Sequence, residues 1–144
     1  MSDLVPADHL PIYRLEAELL RLPQIEMPVD HDFCNGLYAR TMHIPAGTVL
    51  TGAVHKDESF FVVRKGDLIV TTDNGTAQVG PGFMSVTRSN TKRAGIALTD
   101  VEVTTFHANP ANETNPEVLW ETYTVPAPVE ALEAVAHPHL EYMK

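Results

Sequence analysis

The sequence predicts an all-β fold, a double-sheet jelly-roll barrel with a short N-terminal helix and a C-terminal helical tail. From Leu37 onward the apolar residues gather in runs of four to eight, the length of strands. Turn formers break these runs about every ten residues, at Pro45-Ala46-Gly47, Asp73-Asn74-Gly75, Gly80-Pro81-Gly82 and Ser89-Asn90-Thr91. The eight short strands that result suit a jelly roll.

The strands are expected at 37–44, 48–55, 59–64, 67–72, 76–79, 83–88, 94–98 and 101–108. Asp73-Asn74-Gly75 is the sharpest turn signal, since asparagine and glycine tolerate the backbone angles of tight hairpins. Ahead of the strands, Ile12, Leu15, Leu19 and Leu22 recur at helical spacing, with Pro11 in the first turn and Pro23 at the end. After Asn109, Asn115-Pro116-Glu117 starts a short helix through Tyr123, and 129–135 starts another beyond Pro126 and Pro128. The chain thus divides into a helix and lead-in (1–36), a barrel (37–108) and an extension (109–144) that packs on the barrel or on a partner subunit. Segments 1–25 and 110–144 are expected to supply much of a homodimer contact.

Composition excludes several classes. The chain of 144 residues suffices for about one domain, and no apolar run approaches the ~20 residues of a membrane span. A net charge of −9 argues against nucleic acid as a partner. No secretory signal is visible and Cys34 is the sole cysteine, so the expected setting is the cytoplasm, with no intrachain disulfide. Cys34 lacks a flanking base and reads as a buried, inert thiol.

The stretch from Gly47 to Gly66 reads as two strands joined at a polar corner, Val54-His55-Lys56-Asp57-Glu58-Ser59. It resembles the first signature of the cupin family, which has a glycine, two histidines one residue apart, an acid and a closing glycine. The resemblance places Ala53 and His55 at the histidine pair and Ser59 at the acid. In the second signature, Pro81-Gly82-Phe83 matches the corner with its acid replaced, and Arg93 stands where the last metal-binding histidine belongs. The resemblance covers about 37–108 and implies a cupin barrel with a degenerate metal motif. No metal or other cofactor is therefore expected; the alternative is a divalent transition metal held by His55, Glu58 and His107.

Side chains two apart on a strand share a face. If His55 points inward, so do Ala53 and Thr51, and on the next strand Ser59, Phe61 and Val63; on the last strand Val101, Val103, Thr105 and His107 share a parity. The expected pocket holds His55, Ser59, Arg93 and His107, with Tyr38 and Arg40 as contributors from the first strand. Each histidine reads equally as a hydrogen-bonded core residue.

The chain is also similar to small cupin-like proteins encoded by tailed bacteriophages, a group with no settled activity. It shares with them His55-Lys56-Asp57-Glu58, Thr91-Lys92-Arg93, Asp100, Thr104-Thr105-Phe106-His107, and the Tyr38-Ala39-Arg40 strand leading to Pro45-Ala46-Gly47. Ser59 departs from that group, where a histidine often follows the corner acid. A phage origin would make the host cytoplasm the location.

Three functions follow. In the first, a small anionic ligand sits in the barrel, held by Lys92 and Arg93 and hydrogen-bonded by His55 and His107. In the second, the chain is a metal-dependent dioxygenase or isomerase using His55, Glu58 and His107. In the third, it is a structural or interaction protein with a vestigial pocket. The first is the reading adopted from sequence.

Overall fold

The computed structural model describes residues 6–127; the expected helix at 129–135 lies outside them. A single 3-10 turn, Ala7–His9, leads into α1, Leu10–Leu19. Eleven strands and one more helix follow: β1 (Val29–Cys34), β2 (Gly36–Ile44), β3 (Val49–Thr51), β4 (Val54–His55), β5 (Ser59–Lys65), β6 (Leu68–Thr72), β7 (Gly75–Val79), β8 (Met84–Thr87), β9 (Ala94–Ala97), β10 (Val101–Asn109), α2 (Pro116–Tyr123) and β11 (Thr124–Val125). All pairings are antiparallel. The order β1-β2-β10-β5-β8 makes one sheet, β3-β9-β6-β7 a second, and β4 pairs with β11.

The fold class is as predicted, and the strand limits agree within a residue or two with one exception. The run 48–55 is not one strand. It breaks at Gly52-Ala53, so β3 joins the four-stranded sheet while β4 turns to meet β11. α1 stops at Leu19, short of Leu22, which is exposed.

β1 was not foreseen. Asn35-Gly36 forms a two-residue connection between Cys34 and Leu37, with Gly36 at φ +79, a conformation that costs glycine little. Cys34 lies at the end of this edge strand and is exposed, not buried: its partner Leu37 is itself exposed on the outer face of the sheet.

The core lies between the two sheets. Ile44, Val63, Leu68, Val70, Val79, Ala97, Val101 and Val103 form it, with Met27, Met42, Leu50, Phe61, Ala77 and Phe83 packed around them. Their spacing by two along β2, β5 and β10 fixes which side chains face inward. Tyr38, Arg40, Met42 and Ile44 share a face on β2, as do Val101, Val103, Thr105 and His107 on β10, and the register sets His107 opposite Tyr38 and Thr105 opposite Arg40. The apolar end of this face makes the core, and the polar end makes a site.

Gly66, at the β5–β6 corner, sits at φ +79, and a β-carbon there would collide with the Asp100 carbonyl.

Candidate functional site

Two cavities meet at the polar end of the sandwich. An interior chamber of about 170 Å3 lies between the sheets, lined by apolar residues together with Arg40, His55, Ser59, Thr87, Arg93 and Thr105. An outer cleft of about 440 Å3 is lined by residues that include His31, Tyr38, His107, Glu117, Leu119 and Tyr123. Arg40, His55 and Trp120 line both and so form the boundary between them.

α2 forms one wall, and its position is fixed by several bonds. Asn109 exchanges two bonds with Glu113: its Nδ2 donates to Glu113 O at 2.9 Å and its Oδ1 accepts from Glu113 N at 3.1 Å. Asn115 caps the helix by accepting from Glu117 N at 3.0 Å. Leu119 is fully buried, the Tyr123 hydroxyl donates to Ala108 O at 2.6 Å, and Thr124 pairs with His55 across β11 and β4. The residue after Leu119, Trp120, lines the site as well.

The cleft is a continuous stack of rings. Phe33, Tyr38, His107 and His55 follow one another at centroid distances of 5.3, 5.7 and 5.3 Å, and Trp120 closes the row edge-on to His55 at 6.5 Å. His31 stacks on Tyr38, and its Nδ1 shares a 2.6 Å hydrogen bond with the Tyr38 hydroxyl. Burial lowers the pKa of His55, with the Arg40 charge adding to it. His107 is lowered to about 4 by burial first, then by His55 and Arg40. Both imidazoles are therefore neutral at pH 7 and can donate or accept hydrogen bonds without bringing charge. The His107 Nε2 is engaged with Thr105 Oγ1 at 2.8 Å.

The cations differ in their partners. Arg93 Nη1 donates to Thr71 O at 2.8 Å and Nη2 to Thr87 Oγ1 at 3.1 Å, with the guanidinium 5.4 Å from the Phe61 ring centroid; its Nε is buried without a partner among the described residues. Arg40 stacks 5.0 Å from the Trp120 centroid and, among the described residues, has no hydrogen bond or ion pair. Burial lowers the Arg40 pKa, which still leaves a guanidinium charged at pH 7.

Of the residues expected in one pocket, His55, Ser59, Arg93 and Arg40 line the interior chamber, and His55, His107, Tyr38 and Arg40 line the cleft beside it. Lys92 belongs to neither. Its Nζ donates to Glu16 Oε1 and Gly52 O, each at 2.7 Å, and lies 4.6 Å from the Tyr13 ring centroid, so it ties α1 to the sandwich. The two residues precede β9 and part company there: Lys92 reaches α1 while Arg93 turns toward Thr71 and Thr87. Glu58 is also misplaced as a ligand. It is exposed on the corner, one residue before the inward Ser59.

Sequence reasoning missed Trp120, Tyr123 and His31. The alternation of Val29, His31 and Phe33 with Asp30 and Asp32 is a strand signal that could have found His31; nothing local marks Trp120 as a wall of the site.

The donor set does not fit a transition metal. Ala53, Ser59 and Arg93 occupy the remaining positions of the cupin motif, Glu58 points away, and no group of three His, Cys, Asp or Glu side chains converges among the described residues. Nor does any helix of the described residues have the length and apolarity to cross a membrane.

No family profile and no curated protein matches the chain. Solved structures do. The salicylate 1,2-dioxygenase of Pseudaminobacter salicylatoxidans is 19% identical with a TM-score of 0.55, over 81% of this chain and 35% of that one. A Cupin_2 domain of an XRE family transcriptional regulator from Enterobacter cloacae is 15% identical with a TM-score of 0.50, over 58% of this chain and 97% of the domain. A cupin superfamily protein from Desulfitobacterium hafniense is 8% identical with a TM-score of 0.50, over 64% of this chain and 85% of that one. At such identities the likeness is one of fold alone, and the fold is that of the cupin-domain proteins: an antiparallel β sandwich, here with two short helices among the described residues.

Proposed function

We propose that this protein binds a small organic anion in the interior chamber, with Arg40 as the principal contact. One observation carries the reading: two guanidinium groups, Arg40 and Arg93, line a chamber to which no carboxylate is contributed among the described residues. The chain as a whole has a net charge of −9, so this excess of positive charge is local. A cation held away from water without a counter-charge costs several kcal/mol. Arg93 offsets part of that through Thr71, Thr87 and the charge of Asp73, whereas Arg40 has the Trp120 ring, a contact worth about 1 kcal/mol. A carboxylate or phosphate oxygen pair matches the vacant fork of Arg40. The neutral His55 beside it, and the inward hydroxyl of Ser59, supply hydrogen bonds that orient the bound group.

Trp120 is the sole tryptophan and stacks on Arg40, so its emission reports occupancy. Titration with a panel of small carboxylates and phosphates is expected to change that emission saturably and to raise the melting temperature by mass action. Arg40→Met is expected to abolish both responses while still melting cooperatively. A full response in Arg40→Met, or none from the unaltered protein, overturns the proposal.

A further inference from the structure

We infer that the bound anion is a monocarboxylate with a compact apolar body, an aryl or branched alkyl acid, whose carboxylate meets Arg40 while its body lies between the sheets. This rests on the anion-binding reading above and adds the class of ligand. The first ground is the shape of the chamber. At about 170 Å3 it is close to the cavity size that takes one benzene ring, and its walls are Met42, Leu50, Phe61, Leu68, Val70 and Val103. A wholly hydrophilic anion would leave those walls poorly covered and would itself lose water without replacement.

The second ground is the placement of charge. Both terminal nitrogens of Arg93 are already bonded within the protein, which anchors its guanidinium and leaves it less open to a second anionic group than Arg40. Arg40 stands at the boundary with its donors unpaired among the described residues. Outside that boundary, Glu117 and Glu121 line the cleft and repel an anion placed there. Charge therefore favours one carboxylate at the mouth, with the rest of the molecule directed inward. The Phe61 and Trp120 rings also line the chamber and add aromatic surface for a flat body to contact.

The experiment compares benzoate, pivalate, acetate, malonate and inorganic phosphate on the full chain, read by Trp120 emission and by calorimetry. Benzoate and pivalate are expected to bind on the order of 50-fold more tightly than acetate, from the apolar area each buries. Malonate and phosphate are expected to bind no better than acetate. Leu50→Phe, which fills the chamber, is expected to weaken benzoate at least tenfold more than it weakens acetate; Ala94→Leu, at another lining position, makes the same test should Leu50→Phe not fold. If malonate or phosphate binds as tightly as benzoate and Arg40→Met abolishes it, the apolar class is overturned while anion binding stands. Benzoate affinity untouched by either filling variant also overturns the inference. If none of the five binds, the anion-binding reading falls and this inference with it.

Discussion

Two cations sit beneath the two helices, and their surroundings are opposite. On the α1 side, Lys92 is 2% exposed and has Glu16, 19% exposed, at 2.7 Å, a backbone carbonyl at the same distance and the Tyr13 ring above it. On the α2 side, Arg40 has the Trp120 ring and a cavity. The acid that neutralises Lys92 also accepts from Thr51 Oγ1 at 2.7 Å, so one carboxylate joins α1, β3 and the loop ahead of β9. A fold that can build such a cage on one side and leaves the other cation open shows what each serves: Lys92 fastens a helix, and Arg40 faces a space.

The strongest way to break this comparison is to remove the acid. Glu16→Ala leaves Lys92 buried without a counter-charge and is expected to cost about 3 kcal/mol, seen as a lower urea midpoint at unchanged slope. Replacing both partners, in Glu16→Leu with Lys92→Met, is expected to cost less than the single change. A single change that costs under about 1 kcal/mol would place Lys92 with Arg40 as a cation indifferent to pairing.

Next in size is a pH effect confined to the α2 side. The His107 pKa falls from its ordinary 6.5 in the unfolded chain to about 4 in the folded one. Between these values the unfolded chain binds the extra proton, so the stability His107 contributes is present above pH 6.5 and is lost as pH falls toward 4. The loss approaches about 3 kcal/mol at the lower end. His107→Gln is expected to flatten stability over this window, and Arg40→Met to raise the His107 pKa in an NMR titration. An unmoved His107 in Arg40→Met would separate the two groups.

Smaller effects sharpen the picture. Asn115→Ala removes the cap of α2 and is expected to cost about 1 kcal/mol in thermal unfolding and to weaken anion binding through Trp120. Arg40→Met is expected to leave stability unchanged or raised, because it removes a partly buried cation that has, among the described residues, no counter-charge to lose. A loss comparable with that of Glu16→Ala would make Arg40 a structural residue.

Much of this was legible from sequence where the signal is local. Period-two apolar runs and turn formers located the strands, and parity put Ser59, His55, Thr105 and His107 inward because the pleat leaves no choice. Asn35-Gly36 carried the same hairpin chemistry as Asn74-Gly75 yet passed unread, since Asp30 and Asp32 dilute the strand before it. Lys92 was joined to Arg93 because the two are adjacent, although ahead of β9 one reaches α1 and the other turns toward Thr71 and Thr87. That Arg40 is unpaired among the described residues and that Trp120 lies over it depend on which distant segments meet, and no local pattern encodes that.

The pairing of Thr124 with His55 also sets an order of assembly. Synthesis from the N-terminus delivers β2, β4 and β10, with Arg40, His55 and His107, before any of α2 or β11 exists. Until Trp120 and Thr124 have been made, the chamber mouth has no outer wall and β4 has no partner strand. The cleft is thus the last part of the described fold to be completed, its two sides joined by a closure between segments far apart in the chain.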